Sequence, residues 1–178
     1  IEATLKCRLG LGKELNYDFF EEFIDEISKT EIKYIYVHAR NAILSGISPQ
    51  GNRTIPPLSY DFVKKIKNKY PNITFILNGG IKNLDEAENL LKEFDGVMLG
   101  RLIKNNPFIL KEVDKKIFKE KNKLIDESII NNYFEYIKPK LGFESVFRLL
   151  SPLLSIFFSV PNSKAYKSKI NDYMKDQK

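Results

Sequence analysis

Cysteine and histidine each occur once in 178 residues, and tryptophan is missing. A single thiol, Cys7, closes no internal disulfide and builds no multi-cysteine metal site, a usage compatible with a reducing compartment. Charge-free apolar runs of about 18 residues are also lacking, so no membrane span is expected and the chain reads as soluble. The longest apolar stretch, Leu149 to Val160, is broken by Ser151, Pro152, Ser155 and Ser159, and it reads as a buried helix of a small helical domain. Nine glycines and eight prolines are too few for a collagen-like or low-complexity chain. What is present, 43% hydrophobic and 29% charged residues, suffices for a real core and argues against disorder or a coiled coil. The chain opens at Ile1 inside a strand-like run with no signal peptide or transit sequence, as expected of a piece of a longer protein.

The net charge of +6 and the pI near 9.2 permit an anionic partner. Ile, Lys and Asn together make a third of the chain, a bias typical of AT-rich coding sequence, so surplus lysine says little about RNA. The five arginines, kept against that bias, are more informative.

Four short apolar segments, Ala3 to Cys7, Tyr34 to His38, Ile73 to Leu77 and Val97 to Leu99, are near-continuous, as expected of parallel strands buried on both faces. Between them, Phe19, Phe20, Phe23, Ile24 and Ile27 recur at helical spacing. So do Phe62, Val63 and Ile66, after Ser59 as an N-cap candidate, and Ala87, Leu90, Leu91 and Phe94. This alternation predicts four βα units and a parallel sheet over residues 1–106. Beyond Asn106-Pro107 the spacing turns purely helical, predicting an all-α domain over 107–178. Pro139 and Pro161 mark helix boundaries there, and the last dozen residues are polar enough to fray. A four-stranded parallel sheet leaves two open edges, which missing sequence or a second copy should cover.

Glycines and polar residues follow each strand: Arg8-Leu9-Gly10, His38-Ala39-Arg40, Asn78-Gly79-Gly80 and Gly100-Arg101. The C-terminal strand ends are the active face of a βα barrel, where loops after the last two strands commonly bind phosphate. Asn78, Gly79, Gly80, Gly100 and Arg101 suit that task, although glycine also serves plain strand-to-helix turns. His38 closes a strand as an anion or carbonyl donor, a base, or a satisfied core residue. Alternation places Lys6 and Arg8 on one face, pointing to a barrel mouth unless the segment is simply a frayed end. Cys7 is turned to the opposite face as a small hydrophobe. The loop Asn41 to Pro57 is long enough to be functional, with Arg53 either gripping phosphate, stacking on a base, or merely solvated. Lysines 111, 115, 116, 119, 121 and 123 form a basic run diluted by Glu112, Asp114 and Glu120.

Several blocks carry a resemblance across most of the chain: Leu5-Lys6-Cys7-Arg8-Leu9-Gly10, His38-Ala39-Arg40, Leu44-Ser45-Gly46-Ile47-Ser48-Pro49, Asn52-Arg53-Thr54-Ile55-Pro56-Pro57-Leu58, Asn78-Gly79-Gly80-Ile81, and Asp95-Gly96-Val97-Met98-Leu99-Gly100-Arg101 before Asn106-Pro107. In order and spacing they resemble the tRNA-dihydrouridine synthases of the bacterial A type. The resemblance implies the second half of a (β/α)8 TIM barrel, beginning at the fifth strand, followed by a small helical domain that grips tRNA. It also implies an FMN-dependent reductase that saturates the C5–C6 bond of a D-loop uridine, with NADPH reducing the flavin. In that family, hydride passes from the flavin to C6 of a flipped uracil and a cysteine protonates C5. Lys6 and His38 match residues that contact FMN, and Asn78, Gly79, Gly80, Gly100 and Arg101 match its phosphate cradle.

The departures are as informative. The family's general-acid cysteine lies in the first half of the barrel, so no residue of this chain matches it. Cys7 is not its counterpart, and the chain alone is expected to be inactive. Asn41 and Gln50 stand where relatives usually have lysine; Gln50 and Arg53 share the tRNA-contacting loop. The relatives' basic segment of the helical domain corresponds here to Phe147-Arg148-Leu149-Leu150-Ser151, with Arg148 its only cation, and Arg148 and Ser151 are the expected tRNA contacts. Binding is therefore expected to be weaker, or to use the lysines near Lys116. The competing readings are a non-catalytic RNA-binding half-barrel and a different phosphate-binding barrel enzyme. The compartment is expected to be intracellular, cytoplasmic or organellar.

Overall fold

The computed structural model describes residues 2–120 and 128–176, so Lys121 and Lys123 of the basic run lie outside the described residues. The chain forms two compact units, Ile1–Gly100 and Arg101–Lys178.

In the first unit, β1 (Leu5–Arg8), β2 (Tyr34–His38), β3 (Thr74–Asn78) and β4 (Gly96–Met98) form one parallel sheet in sequential order. The register aligns Arg8, His38, Asn78 and Met98 in one row at the C-terminal strand ends. Helices α1 (Tyr17–Ser28), α2 (Tyr60–Lys69) and α3 (Leu84–Leu90) connect the strands. Asn16 starts α1 by accepting the Phe19 N–H at 3.0 Å. At α3, Asn83 accepts the Glu86 N–H at 2.8 Å while Glu86 reaches back to the Lys82 N–H at 2.8 Å, so two orphan donors are satisfied at once. Ser59 precedes α2, but its side chain caps nothing; its N–H is committed to the Ala39 carbonyl at 2.9 Å.

The core lies between the sheet and its helices: Ile35, Val37, Phe75 and Leu77 are fully buried against Phe20, Ile24, Val63 and Ile66. The other sheet face carries Lys6, Tyr34, Tyr36, Thr74, Ile76, Asn78 and Met98, exposed or half-buried, and is covered at its C-terminal end, where His38 is buried. Burial on both faces, as the apolar runs imply, is thus met on one face only, because α1 and α2 pack on the same side. Among the described residues, β1 and β4 have no strand on their outer edges.

The second unit contains α4 (Arg101–Asn105), α5 (Leu110–Lys116), α6 (Ser128–Ile137), α7 (Val146–Leu150) and α8 (Ser163–Asp176). Its start at Arg101 rather than after Asn106 follows from α4, which packs on the 3-10 turns Pro107–Ile109 and Ser151–Ser155. The Ser155 hydroxyl donates to the Lys104 carbonyl at 2.7 Å. Ile137, Leu149, Leu150, Leu153 and Met174 form the core, and the Tyr133 hydroxyl donates to the Leu149 carbonyl at 2.6 Å.

Two expectations are corrected here. Leu149 to Val160 is not one helix: α7 ends at Leu150 and a 3-10 turn begins, because Pro152 has no N–H to give the Arg148 carbonyl. The last dozen residues do not fray through their described part; α8 continues to Asp176, held by buried Met174.

Candidate functional site

Chemistry-bearing side chains gather at the C-terminal ends of β1 to β3. The Lys6 ammonium donates to Asn78 Oδ1 at 3.3 Å, while Asn78 Nδ2 donates to the Met98 carbonyl at 2.8 Å. A cation of β1 is thereby tied to β3 and indirectly to β4. Desolvation at the ammonium, and then the Arg8 guanidinium, draw the Lys6 pKa below the ordinary lysine value, although the side chain remains exposed. Both effects disfavour the charged ammonium relative to water.

After Asn78 the chain turns through Gly79 (φ +107°) and Gly80 (φ +78°). A Cβ at Gly79 would lie 2.4 Å from His38 Cδ2 and 2.8 Å from its Nε2, and one at Gly80 would lie 2.4 Å from Leu58 Cδ1. Backbone conformation and space both require glycine, and His38, itself buried, is packed directly on the turn. The Tyr60 hydroxyl donates to the Gly79 carbonyl at 2.7 Å. Burial, and then the Glu86 carboxylate, raise the Tyr60 pKa and keep it a neutral donor. Gly100 is different: a Cβ there meets nothing within 4 Å. It closes the first unit, and Arg101 opens α4 of the second.

Arg8 shares the face of Lys6 but is directed at the long loop, where one guanidinium nitrogen donates to the carbonyls of Asn41 and Asn52, each at 2.8 Å. Arg40 is buried and donates to the Pro56 carbonyl. Asn52 closes the loop from within, accepting the Ile43 N–H at 2.9 Å and donating to the Ile43 carbonyl at 2.5 Å. Asn41, 1% exposed, donates to the carbonyls of Gly12 and Glu14. It is a strut between two loops, not an exposed substitute for a lysine. This scaffold presents the 3-10 turn Gly51–Arg53, with Gln50 just before it; Gln50 and Arg53 are both exposed, and the Arg53 N–H donates to the Gln50 carbonyl at 3.1 Å.

In the second unit, exposed Arg148 pairs with Glu144 at 3.2 Å. The Ser151 hydroxyl donates to the Arg148 carbonyl at 3.4 Å, compensating the bond that Pro152 cannot make. In the basic run, Lys115 and Lys116 occupy the last turn of α5, and the Lys119 ammonium donates to the Lys116 carbonyl at 2.6 Å; part of this run therefore caps a helix.

Cys7 packs against the hydrophobic core, and burial pushes its thiol up to about 11. It faces away from Lys6, as strand alternation requires. Pattern did not single out Tyr60, and it did not show the bracing role of Asn41 and Asn52, because the partners of all three are backbone groups distant in sequence. Only the length of the loop hinted that something must hold it.

The family described as Dihydrouridine synthase (Dus) matches residues 1–178. Among similar proteins, a tRNA-dihydrouridine(20/20a) synthase of Shigella flexneri is 35% identical over 175 residues, covering 97% of this chain and 52% of that protein. Those of Escherichia coli (strain K12) and Vibrio cholerae are also 35% identical over 97% of the chain, which covers 51% and 54% of them. The chain spans about half the length of the curated relatives it matches. Matched over its whole length by the family and over 97% of its length by these relatives, the chain belongs to the dihydrouridine synthase family.

Proposed function

We propose that this chain is the flavin-cradling and RNA-facing part of an FMN-dependent tRNA-dihydrouridine synthase, its βα units forming the second half of a TIM barrel and residues 107–178 a helical tRNA-binding domain. The observation that carries the reading is the Lys6–Asn78 pair set beside the left-handed Gly79-Gly80 turn under His38. The residues fit the cofactor: consecutive left-handed glycines at a strand end present backbone N–H groups of the kind that hold phosphate, and an exposed lysine on the open sheet face suits a flavin's polar edge.

With FMN held here and reduced by NADPH, the site would be supplied with the hydride that saturates the uracil ring. Lys6 and His38 orient the cofactor, with Asn78 fixing the direction of the ammonium. Asn78, Gly79, Gly80, Gly100 and Arg101 hold its phosphate. Gln50 and Arg53, on the loop that Arg8 and Asn52 brace, meet the tRNA backbone; Arg148 and Ser151 are the contacts from the helical part. The burial of Cys7 away from the open face supports a general acid supplied from outside this chain, leaving the chain inactive alone. An upstream half-barrel, or a second copy, pairs with the outer edges of β1 and β4. Its place of work is wherever tRNA is modified, the cytoplasm or an organelle with its own tRNA. Among the described residues no helix is long and apolar enough to cross a membrane.

The test is flavin absorbance and uridine reduction by the protein purified in the full length its gene encodes. The reading expects a yellow protein that converts a tRNA uridine to dihydrouridine with NADPH, with flavin weakened by Lys6→Ala and lost in Arg101→Ala. A colourless wild-type protein that still binds tRNA overturns it in favour of a non-catalytic RNA-binding module.

A further inference from the structure

Phe143 is 91% exposed, more than any other large hydrophobic side chain among the described residues. It is not on a slack loop. The N–H groups of Phe143 and Glu144 both donate to the Lys140 carbonyl, at 3.1 and 3.0 Å, and a bridge joins Leu141 to Glu144. Gly142, just before Phe143, takes φ +88°, a conformation that only glycine adopts freely. The Lys140 ammonium sits 4.7 Å over the ring of Tyr136, which is also exposed. The two carboxylates flanking this tip are neutralised, Glu135 by Lys138 at 2.5 Å and Glu144 by Arg148 at 3.2 Å. Two exposed aromatic side chains thus lie within a few residues of three cations and two carboxylates, a local net charge of +1.

We propose that this turn is a stacking platform for an unpaired base of the tRNA, with Phe143 as the ring the base lies on and Lys140, Lys138 and Arg148 as the neighbours of its phosphates. The inference rests on the proposed tRNA reading and deepens it by naming the structural class of nucleotide recognised. Aromatic faces among cations are how proteins hold single-stranded nucleotides without reading their sequence, because every base has a π-face. A protein-binding hot spot requires the opposite surroundings, an aromatic anchor ringed by groups that exclude water. Here the neighbours are charged, with Lys138, Lys140 and Arg148 outnumbering Glu135 and Glu144 by one, a balance that favours phosphate.

The experiment measures binding of the full-length protein to unmodified tRNA and to a blunt RNA duplex of similar length. Phe143→Ala should weaken the tRNA complex about tenfold, the scale of one stacked base, and leave duplex binding unchanged. Phe143→Trp should bind tRNA within about twofold of wild type, since it keeps a π-face. A thermal midpoint unchanged in Phe143→Ala separates recognition from folding, as the ring buries almost nothing. Unchanged tRNA affinity in Phe143→Ala, equal losses for tRNA and duplex, or failure of Phe143→Trp to bind better than alanine would each overturn the platform. So would loss of self-association or of vesicle binding in Phe143→Ala with tRNA affinity intact. A wild-type protein that binds no tRNA at all refutes the underlying reading instead.

Discussion

Gly79→Ala is a sharp test of how the loop after β3 is built. Gly79 lies at φ +107°, where an L-residue costs about 1–2 kcal/mol relative to glycine. The new methyl group would also stand 2.4 Å from His38 Cδ2, and His38 is buried, so the ring has little room to retreat. Overpacking of this kind costs a further 1–3 kcal/mol or so. The sum, roughly 2–5 kcal/mol, is a large share of the stability of a domain of this size. It corresponds to a fall in melting temperature of roughly 10–30 °C. Gly100→Ala is the internal control: its Cβ meets nothing within 4 Å and its φ is not left-handed, so the change should be within about 0.5 kcal/mol of neutral. Urea unfolding of both variants, followed by far-ultraviolet circular dichroism, gives the comparison. If Gly79→Ala loses less than about 1 kcal/mol, or no more than Gly100→Ala, the steric account of the turn is wrong.

Arg8→Met should cost roughly 1–3 kcal/mol and raise amide exchange and proteolysis across 41–57; Arg8→Lys should recover part of this, because both bonds leave one nitrogen and an ammonium carries enough donors for the two carbonyls. Intact exchange protection in Arg8→Met would count against Arg8 as the brace. The Cys7 thiol should be inert to a disulfide reagent at neutral pH in native protein and react fast in denaturant, whereas rapid native labelling would contradict its burial. Its pKa rises on folding from 9.0 to about 11, so the folded state holds the proton longer. The associated stability is complete below pH 9 and drains away as the pH rises towards 11, and Cys7→Ala should remove that part of the alkaline slope. Met174→Ala should destabilise the second unit by about 2 kcal/mol and release α8 first, seen as faster exchange along 163–176; uniform exchange across the unit would argue against a local anchor.

Apolar runs and strand-end glycines made the sheet legible, because strand period and turn chemistry are local properties. Tyr34 to His38 forms a strand over that very span. One-sided burial was hidden, since Tyr36 and Ile76 look the same in sequence whether a layer covers them or not. Arg8 was readable as a cation on the face of Lys6, but its partners are carbonyls 33 and 44 residues away, and no pattern in side-chain identity announces a backbone acceptor. The same reason concealed the work of Asn41 and Asn52. Prolines were legible as boundaries: α6 ends at Ile137 ahead of Pro139, and α8 starts after Pro161. The replacement of a missing amide by the Ser151 hydroxyl needed coordinates.

The sequential strand order carries a consequence for how the first unit forms. Each strand pairs only with the strand before or after it, so loop closures are short and contact order is low for a parallel sheet. Among the described residues β2 and β3 alone have partners on both sides, and they hold the fully buried Ile35, Val37, Phe75 and Leu77. That pair with α2 between them is the natural nucleus, able to close while later chain is still emerging from the ribosome. The outer strands then add as single steps, and in this chain by itself amide protons should exchange slowest in β2 and β3 and fastest in β1 and β4; pairing of those edges in the full-length protein should slow the latter.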